Sequence, residues 1–147
     1  MNSLALSHQY REMQVKTSDP PGLVLMLYDI AIQLLNSLIK HKESKPKTIP
    51  EKLKLLEERS LSLIKVQQII LELKRSLNLK IWAEGQTLYH LYEYLYGRLI
   101  EANLKQVDEP IEEAFRILSK LREAWGQAAV VYRQKVKAGG YHLNAVQ

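Results

Sequence analysis

The chain contains no cysteine. That excludes a disulfide framework and thiolate metal sites, and it agrees with a reducing compartment. No run approaches 18 wholly apolar residues, so the sequence predicts no membrane insertion. Met1–Tyr10 carries neither a basic n-region nor a long apolar core, so no secretory signal is expected. Five prolines and six glycines are few for 147 residues, and they fall in few places. Strand-like alternation, an internal repeat and low-complexity tracts are all missing.

The motifs of common chemistries are missing as well. No glutamate is followed three residues later by histidine, the pattern a di-metal carboxylate bundle needs. The reverse order occurs once, at His90 and Glu93, and one such pair reads as a solvated surface contact. His8, His41, His90 and His142 lie too far apart in sequence for a helical zinc pair. There is no phosphate-binding glycine loop, no dinucleotide fingerprint and no nucleophile elbow. The sequence therefore points to no catalytic residue, no metal and no cofactor, and to a binding protein rather than an enzyme.

What is present is ordinary in bulk. At 46% hydrophobic and 25% charged, 147 residues suffice for one domain with a sizeable core. Part of the net charge of +5 sits in Lys40, Lys42, Lys45, Lys47, Lys52 and Lys54, against Glu43 and Glu51. A nucleic-acid surface would interleave aromatics or arginines with the lysines. This stretch has neither and reads as a solvated loop between helices, with no nucleic-acid partner.

The punctuation divides residues 1–147 into an arm (1–17), four helices (19–41, 49–77, 81–105 and 109–137) and a tail (138–147). Asp19-Pro20 suits a helix start, with proline at the first helical position. Thr48-Ile49-Pro50-Glu51 has capping-box spacing. Asn78 is a plausible breaker after the second helix. Asp108-Glu109-Pro110 opens the fourth, and Gly139-Gly140 ends it. Four long helices on short connections predict an all-α fold, an antiparallel four-helix bundle with an N-terminal arm or short helix packed on it. In the fourth helix Ile111, Ala114, Leu118, Leu121, Trp125, Ala128, Tyr132 and Val136 form the expected core stripe.

Two helices are apolar beyond the stripe of a little over ~100° that faces a core. In the third, Leu88, Tyr92, Leu95 and Leu99 stack on one line, flanked by Tyr89, Tyr96 and Ile100 on one side and by Leu91 and Tyr94 on the other, an arc of about 240°. In the first, Leu23, Leu27, Ile30, Ala31, Leu34 and Leu38 form one face that Val24, Tyr28, Ile32, Leu35 and Ile39 widen to about 200°. Apolar surface in excess of a core marks an interaction site when it is exposed. Tyrosine suits such a surface, since its ring tolerates both a dry and a wet state.

The residues of the N-terminal third resemble the opening pattern of the flagellar secretion chaperone family, FliS: Tyr10, Gln14-Val15, Thr17, Asp19-Pro20, Leu23 and Leu27-Tyr28-Asp29. Leu91-Tyr92-Glu93-Tyr94 is similar to that family's Leu-Tyr-Asp-Tyr, and Arg98-Leu99-Ile100-Glu101-Ala102-Asn103-Leu104 follows it. Leu121-Arg122-Glu123-Ala124-Trp125 is a further signature. Together the motifs span about residues 10–126 in consistent order. Asn78–Gly85 departs from the family's Asp and paired Gly, and Val130–Gln147 has no counterpart.

The resemblance implies a cytoplasmic export chaperone that binds the disordered C-terminal segment of flagellin, one chaperone per client. Covering that segment prevents premature polymerisation and keeps flagellin competent for flagellar type III secretion. The implied partner-binding residues are Tyr10, Val15, Leu27, Tyr28, Tyr89, Tyr92, Tyr96, Ile100 and Leu104. Tyr92 sits on the core line, so Tyr89 and Tyr96 are the cleaner positions to mutate. The arm, with Leu4, Leu6 and Tyr10, either covers the client groove or caps the bundle permanently. A co-chaperone or flagellar regulator on the rear face, and self-association without client, stay open. So does the alternative of a non-catalytic helical adaptor or oligomerisation module for another partner.

Overall fold

A computed structural model describes residues 20–77 and 85–139. It contains α1 (Pro20–His41), α2 (Ile49–Arg75), α3 (Gly85–Lys105) and α4 (Glu109–Lys137), and no strand among the described residues. Each helix packs on its neighbours in the chain, and α4 closes the ring against α1. Asp29 meets Arg122, and Lys42 meets Glu112. Position falls along α4 as it rises along α1, so the two run antiparallel, as in an up-down-up-down bundle.

The helix ends show why the chain stops where it does. Thr48 is extended, and its Oγ1 accepts the Glu51 N–H at 3.2 Å. The Glu51 carboxylate returns to the N–H of Lys47, at 2.9 Å, one residue before the usual capping-box position. Asp108 does not cap α4 with its side chain. Its carboxylate instead accepts Arg59 Nη1 at 2.8 Å, while Arg59 Nη2 donates to the carbonyls of Ala102 and Val107. Arg59 thus fastens α2 to the α3–α4 turn. Within that turn Gln106 adopts a left-handed φ of 53°, the conformation that ends a helix. Gly139 does the same after α4, at φ 74°. Asp19, Asn78 and Gly140 lie outside the described residues, as do the N-terminal arm and most of the tail.

All four helices supply the core, with Leu27, Ala31 and Leu35 of α1 against Leu63, Ile69 and Ile70 of α2, Leu95 and Leu99 of α3 and Ile111 and Leu118 of α4. The expected stripe on α4 holds through Trp125 and then drifts. Ala129 is buried, whereas Ala128 is exposed. A straight helix turns about 20° per heptad away from a strict seven-residue repeat, so a four-residue step replaces the three-residue one.

Although no run of 18 apolar residues exists, the segment Pro21–His41 of α1 is long and apolar enough to cross a membrane by length and composition. In this fold its apolar residues have another destination. Leu23, Leu27, Tyr28, Ala31 and Leu35 are buried in the bundle, and Asp29 pairs with Arg122.

Candidate functional site

The family-like motifs of three helices meet inside the bundle. Tyr28 and Tyr92 are 0% and 1% exposed. A hydroxyl buried among apolar side chains needs a partner. Here the two hydroxyls bond each other across the diagonal of the bundle, and the Trp125 indole N–H donates to the Tyr28 oxygen at 3.2 Å. Burial pushes both phenol pKa values up, because the phenolate would be desolvated. Next to this node Arg122 Nε donates to Asp29 at 2.9 Å. The node locks α1, α3 and α4 in register, and its two tyrosines are closed off from solvent.

The surface differs sharply between two seams of α3. On its α4 side, Arg98 reaches Glu113 at 2.8 Å and Glu109 at 3.8 Å, the Tyr94 hydroxyl donates to Glu113, and Glu101 of α3 itself holds Arg98 at 2.7 Å. Hydrogen bonds from Arg98 hold the Glu113 and Glu101 carboxyls below the usual glutamate range. The hydrogen bond to Glu113 pushes the Tyr94 phenol up. This seam is laced by charge.

On the α2 side, besides the Arg59 bond to the Ala102 carbonyl, Asn103 Nδ2 donates to Ser60 Oγ at 3.3 Å. Counted from that pair at 100° per residue on antiparallel helices, Leu61 and Ile64 of α2 fall on the outer side of the seam. Tyr89, Tyr96, Ile100 and Leu104 of α3 fall on the same side. The buried Leu63, Ile70, Leu95 and Leu99 fall on the opposite side, which checks the count. Leu104 is 79% exposed, Leu61 47% and Ile100 38%, while Tyr89, Tyr96 and Ile64 are half-buried. The strip from Tyr89 to Leu104 is about 22 Å long at 1.5 Å per residue. Near one end, Lys74 Nζ lies 5.0 Å from the centre of the Tyr89 ring, a cation–π contact.

The residues expected from sequence to meet a partner therefore separate into three groups. Tyr89, Tyr96, Ile100 and Leu104 come together on the outer α2–α3 seam. Leu27, Tyr28 and Tyr92 lie in the core. Tyr10 and Val15 lie outside the described residues. Sequence reading missed Leu61 and Ile64, since only the register of α2 against α3 brings them to this strip. His90 and Glu93 do meet, at 3.3 Å. Among the described residues no group of three histidines or acidic side chains is placed to hold a metal.

Comparison with known proteins agrees with this frame. The family model described as "Flagellar protein FliS" matches residues 2–132. The flagellar secretion chaperone FliS of Bacillus subtilis (strain 168) is 30% identical over 119 residues, covering 81% of this chain and 82% of that protein.

Proposed function

The chain belongs to the FliS family of flagellar proteins, and on that premise we propose that it is a cytoplasmic export chaperone whose outer α2–α3 seam holds the C-terminal segment of flagellin, one chaperone per client. The observation that carries the choice of seam is the exposure of Leu61, Ile100 and Leu104 along one strip, where the other α3 seam is closed by the ion pairs of Arg98 with Glu113 and Glu109. An amphipathic helix lays its apolar face into such a strip. Ordering a disordered segment costs about 2–5 kcal/mol or more. At about 25 cal/mol per Å², on the order of 80–200 Å² of buried apolar surface offsets that, a demand that a few side chains such as Leu104 and Leu61 meet. The surplus sets affinity. The occupied segment can no longer pair with other flagellin subunits, which keeps the client competent for export.

The test is fluorescence anisotropy with a labelled peptide of the flagellin C-terminus. Ile100→Glu and Leu61→Glu weaken binding at least tenfold without lowering the melting temperature, and Lys45→Asp leaves it unchanged. Unchanged affinity in both seam variants overturns the choice of seam. Equal losses in all three variants point to non-specific electrostatics. No binding by the unaltered chain overturns the choice of client segment.

A further inference from the structure

α2 outruns its neighbours at one end of the bundle. Arg59 and Ser60 are level with Ala102 and Asn103 of α3, whose last residue is Lys105. The two helices run antiparallel, so α3 ends about level with Glu58. The turns of α2 before that, from Ile49 to Glu58, stand beyond the end of α3 by about 15 Å at 1.5 Å per residue. α1 stops near the same level, since Lys42, just past its last residue, meets Glu112 near the start of α4. Counted from Ser60 at 100° per residue, Ile49, Leu53 and Leu56 all fall within about 40° of the direction that faces α3. The line of α2 that packs on α3 therefore continues where α3 has ended. Ile49 is 75% exposed and Leu53 61%, and Leu56 is exposed as well. Leu104 and Val107, at the end of α3 and in the turn after it, are exposed at the foot of this step.

The size and shape of the step decide what fits it. A fully exposed aliphatic side chain presents on the order of 100 Å² of apolar surface. The five residues together expose the equivalent of about three such side chains, or on the order of 300 Å² per copy. A contiguous patch of that size marks a contact site. Two copies bring about 600 Å² of apolar surface, and at the usual apolar share of a little over half this belongs to an interface of about 1,000 Å². That is the lower limit for a specific pairing. A second copy, turned by a two-fold axis across α2, lays its own overhang into the step. The overhang is as long as the step is deep, because one defines the other. The same patch then meets itself, as in most symmetric dimers. Charge does not oppose this. Between Ile49 and Glu58, Lys52 and Lys54 stand against Glu51, Glu57 and Glu58, and Asp108 at the foot is paired with Arg59. Near balance gives a strongly acidic or basic partner little to hold, and two copies approach without net repulsion.

We infer that the chain pairs two-fold through this step, each α2 overhang seated antiparallel on its mate, as a weak and reversible dimer. Analytical ultracentrifugation of the full chain, from low micromolar to several hundred micromolar, tests it. The apparent mass rises from 17.0 kDa towards twice that value. Leu53→Glu and Ile49→Glu each weaken dimerisation at least tenfold, and because both positions are exposed the melting temperature is unchanged. The chain has no cysteine, so a single introduced thiol reports the geometry. Leu53 is the middle residue of the line and lies next to the two-fold axis. Mild oxidation of Leu53→Cys links two copies, whereas Leu61→Cys on the outer α2–α3 seam stays unlinked. A chain that is monomeric throughout overturns the inference, as does a dimer untouched by both glutamate variants, or equal cross-linking through Leu61→Cys. A monomeric chain whose flagellin-peptide binding falls in the Leu53→Glu variant overturns it in favour of the client. Ile49 and Leu53 lie outside the strip from Tyr89 to Leu104, so this pairing and the client seam fail independently.

Discussion

α1 and α3 enter the bundle with comparable apolar arcs and finish with opposite surfaces. On α1 the flanks Val24, Ile30, Ile32, Leu34, Leu38 and Ile39 all pack against the core, and Met26, at 36%, is the only large hydrophobic side chain left exposed on that helix among the described residues. On α3 the central line is buried, yet Tyr94, Ile100 and Leu104 reach solvent. Arc width alone therefore does not announce a binding surface. What decides is whether neighbouring helices extend over the flank. Over α1 they do, and the surplus becomes core. Beside α3, α4 answers with Glu113 and Arg98 answers from α3 itself, while α2 leaves its own Leu61 exposed next to Ile100 and Leu104.

The largest expected effect breaks the comparison if it fails. Leu27→Ala on α1 removes a fully enclosed side chain and costs about 2–5 kcal/mol in urea unfolding. Ile100→Ala on α3 removes one already in contact with water and costs about 0.5 kcal/mol or less. Equal losses would mean that the α3 flank is as much core as α1. Next in size is the effect on client binding. Met26→Glu and Ile100→Glu each place a carboxylate on an exposed apolar position, one per helix. Ile100→Glu weakens flagellin-peptide binding at least tenfold, about 1.4 kcal/mol, and Met26→Glu leaves it unchanged. A loss from Met26→Glu would move the site towards α1.

Most of this frame was legible in the sequence. The bundle followed from four periodic segments and sparse breakers, and of the line Leu88, Tyr92, Leu95 and Leu99 on α3 the last three are buried as the spacing predicts, with Leu88 half-buried against the core. The family-like motifs were legible as a set, but their job was not. Tyr28, Tyr92 and Trp125 are far apart in the chain, and only packing shows that they satisfy one another. Trp125 reads as core from its stripe, whereas Tyr28 and Tyr92 read as partner contacts through the family resemblance, and the same hydroxyl also serves as an internal lock once it has a buried partner. Leu61 was illegible for a different reason: its significance depends on the α2–α3 register, which the hydrogen bonds at Arg59 and Ser60 reveal.

The internal lock has its own signature in alkali. Burial holds Tyr28 and Tyr92 protonated in the folded chain, while the unfolded chain ionises both near pH 10. The stability they protect is complete below that pH and is lost as pH rises through their elevated folded pKa values. Between pH 9 and pH 11 the melting temperature falls. The combined Tyr28→Phe and Tyr92→Phe variant, though less stable at neutral pH, falls less steeply. An unchanged slope would assign the alkaline loss to other groups and remove the node from the account.

The smallest effect lies on the charged seam of α3, and it tests why that flank is not also a docking strip. Arg98 holds Glu113 and Glu101 below the ordinary glutamate range. Their contribution is fully present above the unfolded glutamate pKa, about 4.3, and disappears as pH falls through the depressed folded values. These groups are close to solvent, so salt screens them and the effect on stability is slight. Arg98→Gln flattens the dependence of melting temperature on pH between 5 and 3, most visibly at low ionic strength, and flagellin-peptide binding is unchanged because Arg98 faces α4 rather than α2. A binding loss would mean that the polar seam orients the client, and that the two flanks of α3 act as one surface.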